Sequence, residues 1–305
     1  KPDQLYPECS KLRYLSGLPV RQAVVQVRQG QSEAASEACL DMLEVGVKLP
    51  RGGSFIPYIC ALSIQARALR ALKYTIAHQG LSRGTLAALP ERLRRLEAQQ
   101  TPLREVIACD YQSNGPGALE LTPSEFWECL GGSRHPVFST LLRLPGAGLV
   151  TRKFIAKRLP ALMKWDAELA RLSMRPFYEI RDEIPSDTEG LSDVGSVVMA
   201  PLGTGVLRHQ ATLQANWRGT RIVAQLELHR LRTGKYPARL AALTGLRAAD
   251  LQDPFSGKPL RYKQHGRDYV LYSVGENGND NGGKRVKGLE APKGDLIIWP
   301  DPPSS

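Results

Sequence analysis

Over much of the first 200 residues, apolar positions recur at steps of three, four or seven, the spacing of helices with one buried face. From Ser54 to Gln79 the stripe is Phe55, Ile59, Leu62, Ala66, Leu69 and Ile76. Gly80 supplies a C-cap, and Ser82 opens the next stretch, which carries Leu86, Leu89, Leu93 and Leu96. Pro90 falls inside it, and proline suits a first helical turn, so the continuous helix is expected to start there. Ahead of both, Glu33 to Val47 places Leu40, Leu43 and Val47 on one face, with Cys39 beside them. The connections are short and hold Pro50, Gly52, Gly53 and Gly80, so neighbouring helices should pack as antiparallel hairpins. A further helix starts near Pro160, with Leu162, Trp165, Leu169 and Leu172 on its face. No fixed repeat period holds across these helices. Cys109 to Pro123 and Gly131 to Gly148 read as loops, and the acidic segment 182–193, with Pro185 and Gly190, is the linker candidate.

The pattern then changes. A helix at about 206–233 presents Leu213, Trp217, Val223 and Leu226 to a core and stops at Gly234, before Tyr236 and Pro237. Leu260 to Gln264 and Asp268 to Ser273 alternate as strands joined by a hairpin at His265–Gly266, and Leu296 to Trp299 makes one more strand. The expected fold is therefore α+β. A mostly helical region of packed hairpins spans 1–200, and a second unit spans 206–305, with its small antiparallel sheet at about 253–299.

Within that second unit, five phrases follow one another. They are His229-Arg230-Leu231-Arg232-Thr233-Gly234-Lys235-Tyr236-Pro237, the leucines Leu240 and Leu243, Asp253-Pro254-Phe255-Ser256-Gly257 running on to Tyr262, Leu271-Tyr272-Ser273-Val274-Gly275-Glu276-Asn277-Gly278, and Asp295-Leu296-Ile297-Ile298-Trp299. In this order they resemble the globular domain of the major pseudopilins of type II secretion, of the type IV pilin-like superfamily. The resemblance covers roughly Arg208 to Trp299 and leaves the helical region without a counterpart. It implies a long helix against a small sheet, a bacterial envelope setting, and a calcium loop. Ligands of that loop include the Asp of an Asp-Gly phrase and the Asp opening the last strand. Here the first is Asn277 and the second is Asp295, preceded by Gly294 where the family often has another acid. The apolar segment Val194 to Val206 is short and holds Pro201, Gly203 and Gly205, so it is no membrane-spanning assembly stem. The expectation is a protein that borrows the domain rather than one that polymerises through it.

The loop chemistry can be read independently. Calcium takes roughly six to eight oxygen ligands. Ser273, Asn277, Asp280 and Asp295 are the candidate ligands, with Glu276 and Glu290 weaker, and the intervening glycines let backbone carbonyls converge. Lys284, Arg285, Lys287 and Lys293 work against a cation. Two readings stay open at this point: a structural Ca²⁺ that pins the last strand, or a metal-free loop whose Asn, Asp and Gly serve turns.

Charge changes the picture little. The net charge is +11, but from Asp253 onward 8 Lys+Arg face 7 Asp+Glu, so nearly all the excess lies on the helices ahead. Only Phe154 interleaves the basic clusters at Arg92–Arg95 and Arg152–Arg158, which is poor material for nucleic-acid stacking. The cysteines Cys9, Cys39, Cys60, Cys109 and Cys129 have no CxxC spacing. They would form one or two disulfides if exported, and would be buried thiols otherwise. No apolar run is long enough to span a bilayer, and the start at Lys1 points to a removed signal or anchor upstream. Metalloprotease, serine-hydrolase, phosphate-loop and dinucleotide motifs are all missing. The expectation is a non-catalytic periplasmic or extracellular protein, linked to a secretion or pilus-like system, that binds a protein partner through its helical region. An enzyme with a site among the helices and a basic nucleic-acid adaptor are the alternatives, and the oligomeric state is left open.

Overall fold

In the computed structural model, which describes residues 17–51, 55–78, 80–114, 153, 164, 166–184, 194–284 and 294–300, the chain is α+β. The leading helices are α1 (Gly17–Arg28), α2 (Ser32–Lys48), α3 (Phe55–Ala77), α4 (Arg83–Glu97) and α5 (Leu103–Asn114). Residues 166–172 are helical, followed by α6 (Phe177–Ile180) and the long α7 (Val194–Thr233). A 3₁₀ turn (Leu240–Ala242), α8 (Ala248–Leu251), β1 (Arg261–His265), β2 (Asp268–Ser273) and β3 (Leu296–Trp299) complete it.

Local chemistry explains the boundaries. The Ser82 hydroxyl accepts the Thr85 amide at 3.1 Å and caps α4. Glu33, in the first turn of α2, accepts from the Ser82 amide at 2.8 Å and from the Thr85 hydroxyl, tying the starts of the two helices together. α4 nevertheless runs through Pro90 rather than starting there, with the proline ring buried. A proline removes one hydrogen bond and weakens a helix without forcing its end. For the same reason α7 begins at Val194, not near Val206, and passes Pro201. The expected loop from Cys109 is helical as far as Asn114. Of the other early expectations, Pro160, Leu162, Trp165, the 131–148 loop and residues 185–193 lie outside the described residues.

α3 is the central helix of the leading region, lying between α2 and α7. It is buried on two sides, which a one-face stripe does not describe: Ala61, Ile64, Ala68 and Leu72 are buried, whereas Ala66 is exposed. α7 is the spine of the molecule. It packs on α3 and α4 and carries β2, β3 and α8. Leu213, Trp217, Val223 and Leu226 are buried as expected, and the helical region and the C-terminal unit share one apolar core. The Trp217 indole donates to Gln65 Oε1 on α3 at 3.3 Å.

The sheet is antiparallel in the order β1-β2-β3. β1 pairs with β2 from Arg261↔Tyr272 to His265↔Asp268 across the expected hairpin. β3 lies on α7 at Gly219, where a Cβ would intrude on Ile298 Cγ2. Lys73 of α3, 2% exposed, donates to the Ile298 carbonyl at 2.8 Å and to Asn216 Oδ1 at 2.9 Å, so the last strand is held by both halves of the chain. Gly219→Ala should therefore destabilise the chain by about 1–2 kcal/mol in urea titration, overpacking outweighing the gain in helix propensity. Ile298→Ala, which removes the Cγ2 methyl, should cost less in the Gly219→Ala chain than in the wild type.

Candidate functional site

The turn that opens the sheet is built on Asp253. Its side chain is fully buried and accepts three hydrogen bonds, from the Phe255 amide at 2.9 Å, the Ser273 hydroxyl at 2.7 Å and the Val274 amide at 3.0 Å. Its own carbonyl accepts the Gly257 amide at 2.9 Å. The Asp253 carboxylate thus joins the turn to the end of β2. Ser273 is committed here, donating to Asp253 and accepting from the Gly275 amide at 3.1 Å.

Beyond β2 the chain curls through Gly275, Gly278, Gly282 and Gly283, whose φ values lie between 69° and 81°. A Cβ at Gly275 would meet the Gly294 carbonyl oxygen, so the two ends of the loop are in contact. Asp295 is nearly buried and accepts amides from across the loop, Asn281 at 3.1 Å and Gly283 at 2.7 Å. Asp280 accepts the Tyr272 hydroxyl and the Gly282 amide, both at 2.9 Å, and Arg261 Nε stands 3.4 Å from its other oxygen. The Gly282 amide, with Tyr272, Arg261 and Lys263, holds the Asp280 carboxyl below the usual aspartate range. The Asn277 side chain accepts the Asn279 amide at 3.0 Å, and Glu276 pairs with Arg208 of α7 at 2.8 Å. Glu290 lies outside the described residues.

The loop therefore gathers Asp280 and Asp295 and leaves Ser273 and Glu276 tied to other parts of the fold. Calcium needs oxygens free to converge on it. In this arrangement both oxygens of Asp295 face backbone N–H groups. Lys263 Nζ also reaches the Gly282 carbonyl at 3.2 Å. Among the described residues, Asp280 and Asp295 each already accept two hydrogen bonds, and none of the remaining candidate oxygens joins them. Among the described residues no three of His, Cys, Asp and Glu group in the manner of a metal site.

A second constellation stands where α4, α7 and α8 meet, and no local motif announces it, because its ion pairs Arg94–Asp250, Arg221–Glu97 and Arg221–Asp250 join residues 156, 124 and 29 positions apart. Asp250, 3% exposed, accepts Arg94 Nη2 at 2.7 Å and the Arg247 amide at 2.9 Å. Arg221, also 3% exposed, has Nε 2.7 Å from Asp250 Oδ1 as an ion pair, and its Nη1 donates to Glu97 at 2.6 Å. Burial pushes the Asp250 carboxyl up, but the Arg94 guanidinium, the Arg247 amide and the Arg221 charge outweigh it and hold it below the usual aspartate range.

Beside this cluster is a half-open cleft of about 630 Å³, walled by the end of α4, by residues 173–180, by α7 and by Gln252 and Pro254. Its walls mix apolar groups, among them Leu207, Leu213 and Phe177, with Arg218, Gln214 and Tyr178. Cys39 and Cys60 are buried and Cys109 is half-buried, with no disulfide among these three; Cys9 and Cys129 lie outside the described residues. Burial pushes the Cys39 thiol up to about 12. Comparison with protein-family models, with curated proteins and with solved structures finds no match.

Proposed function

We propose that the chain is a non-catalytic bacterial cell-envelope protein, in which a pseudopilin-like module is fixed to a helical platform that binds a protein partner. The observation that carries this reading is the shared spine. α7 is at once the long helix of the module and a core helix of the platform, so the module is built in as a structural element. The five-phrase resemblance supplies the family and the envelope setting.

The described acids serve as ion-pair partners. Every described carboxyl with a displaced pKa is held low, including Glu37, Glu91, Glu183 and Asp250. The basic residues give the adaptor reading little support, since Arg92, Arg94, Arg171, Arg175 and Arg221 are each engaged by a carboxylate. In the loop, we take the backbone amides, Arg261 and Lys263 to do the work of a bound cation.

Two experiments test this. Cell fractionation with in-cell cross-linking should recover the native protein in the envelope or periplasm, joined to a subunit of a secretion or pilus-like assembly. Recovery from the cytosol without such a cross-link would contradict the reading. For the loop, about 1 mM calcium or an excess of chelator should move Tm by less than about 1 °C. A rise of several degrees with calcium, abolished in Asp295→Asn, would instead establish a metal site.

A further inference from the structure

The cleft holds four charged side chains, Arg94, Arg175, Arg218 and Glu97, and three of them are already paired. Arg94 is bound to Asp250 and Glu91, Arg175 to Glu183, and Glu97 to Arg221. Arg218 differs. Its Nη1 donates to the Gln252 carbonyl at 2.7 Å, and among the described residues no carboxylate lies within ion-pair distance of it. It is half-buried, and burial lowers its pKa from the usual arginine value despite the more distant charge of Glu97. A guanidinium removed from water without a counter-ion is costly, and the cost is recovered when an anion enters.

We propose that this cleft is a binding site for a peptide segment of a protein partner, with one Asp or Glu carboxylate of that segment seated on Arg218. With Nη1 engaged, Arg218 still has Nη2 and Nε, the pair of donors that takes a carboxylate in two parallel hydrogen bonds. A dianion such as phosphate is disfavoured, because Glu97 stands on the same wall and the other two arginines are committed. The apolar lining at Leu207, Leu213 and Phe177 fits aliphatic residues flanking the acid, and Met174, 60% exposed, offers an adaptable lip. The assignment rests on the reading that the helical platform engages a protein, and names the place and chemistry of that contact.

The test is a selection of a random displayed dodecapeptide library on the full chain, with affinities of the recovered peptides measured by fluorescence anisotropy. Recovered peptides should carry an Asp or Glu between apolar residues. Replacing that acid by its amide should weaken binding by about 10–100-fold, the range for a charge-assisted bond, and Arg218→Gln should do the same. Gln214→Glu provides a variant that removes nothing. Gln214 is exposed on α7 four residues before Arg218, so the new carboxylate should occupy the guanidinium, block the peptide by a similar factor and leave the fold at least as stable. A selection without acidic enrichment, or peptides indifferent to both variants, overturns the assignment. Envelope localisation and cross-linking would be unaffected by that outcome, so the failure of the site is distinct from failure of the wider reading.

Discussion

Asp253→Ala is expected to lower stability by about 4 kcal/mol. Three donors converge on this carboxylate, two of them backbone amides, and the site is fully buried, so no water replaces what is lost. Each orphaned buried group costs about 1–3 kcal/mol. For a chain of this length the loss corresponds to roughly 6 °C in Tm. Asp253→Asn keeps one acceptor oxygen and turns the other toward donors as an NH₂, so about half the loss should remain. Urea titration of the two variants beside the wild type checks the order. An alanine variant within about 1 kcal/mol of wild type would mean that the turn and the end of β2 are held by other contacts.

Asp250→Asn is expected to cost about 3 kcal/mol, or roughly 5 °C. The substitution leaves Arg221 and Arg94 with reduced counter-charge inside the junction of α4, α7 and α8, although Glu97 and Glu91 still serve them. The pH dependence identifies the cause. The folded-state pKa of Asp250 is depressed, so its contribution is fully present above the unfolded aspartate value of about 3.9 and is lost as pH falls through the lower folded value. The gap between wild type and variant should be constant from neutral pH down to about pH 4 and should close below it. A gap unchanged well below pH 3 would point to a packing defect instead of a lost charge.

What the sequence disclosed follows from which interactions are local. The capping of α4 by Ser82, the end of α7 at Gly234 and the β1–β2 hairpin at Gly266 depend on neighbours in the chain, and they read correctly from periodicity and turn chemistry. The buried position of Trp217 was legible in the same way. Pro90 and Pro201 misled, because tertiary burial and helix continuity outweighed one lost hydrogen bond each. Ala66 misled because α3 has neighbours on two sides, so its face cannot be chosen by one stripe. Asp280 and Asp295 were correctly placed in one loop, but oxygen-bearing residues at loop positions do not reveal whether amides or a metal will take them. Asp250, Arg221, Arg94 and Glu97 left no motif at all, since only the packing of α4, α7 and α8 brings them together. Arg218 was hidden for the same reason: an arginine without a carboxylate partner looks in sequence like any other.

α7 serves two roles, joining the C-terminal unit to the helical region through the common core, Lys73 and the Asp250 cluster. Differential scanning calorimetry of the whole chain measures this most directly. One cooperative transition is expected, with a calorimetric to van't Hoff enthalpy ratio of about 1, and Asp250→Asn should lower it as a single peak. Two separate transitions, only one of them moved by that substitution, would show that the module and the platform fold independently and would contradict the account.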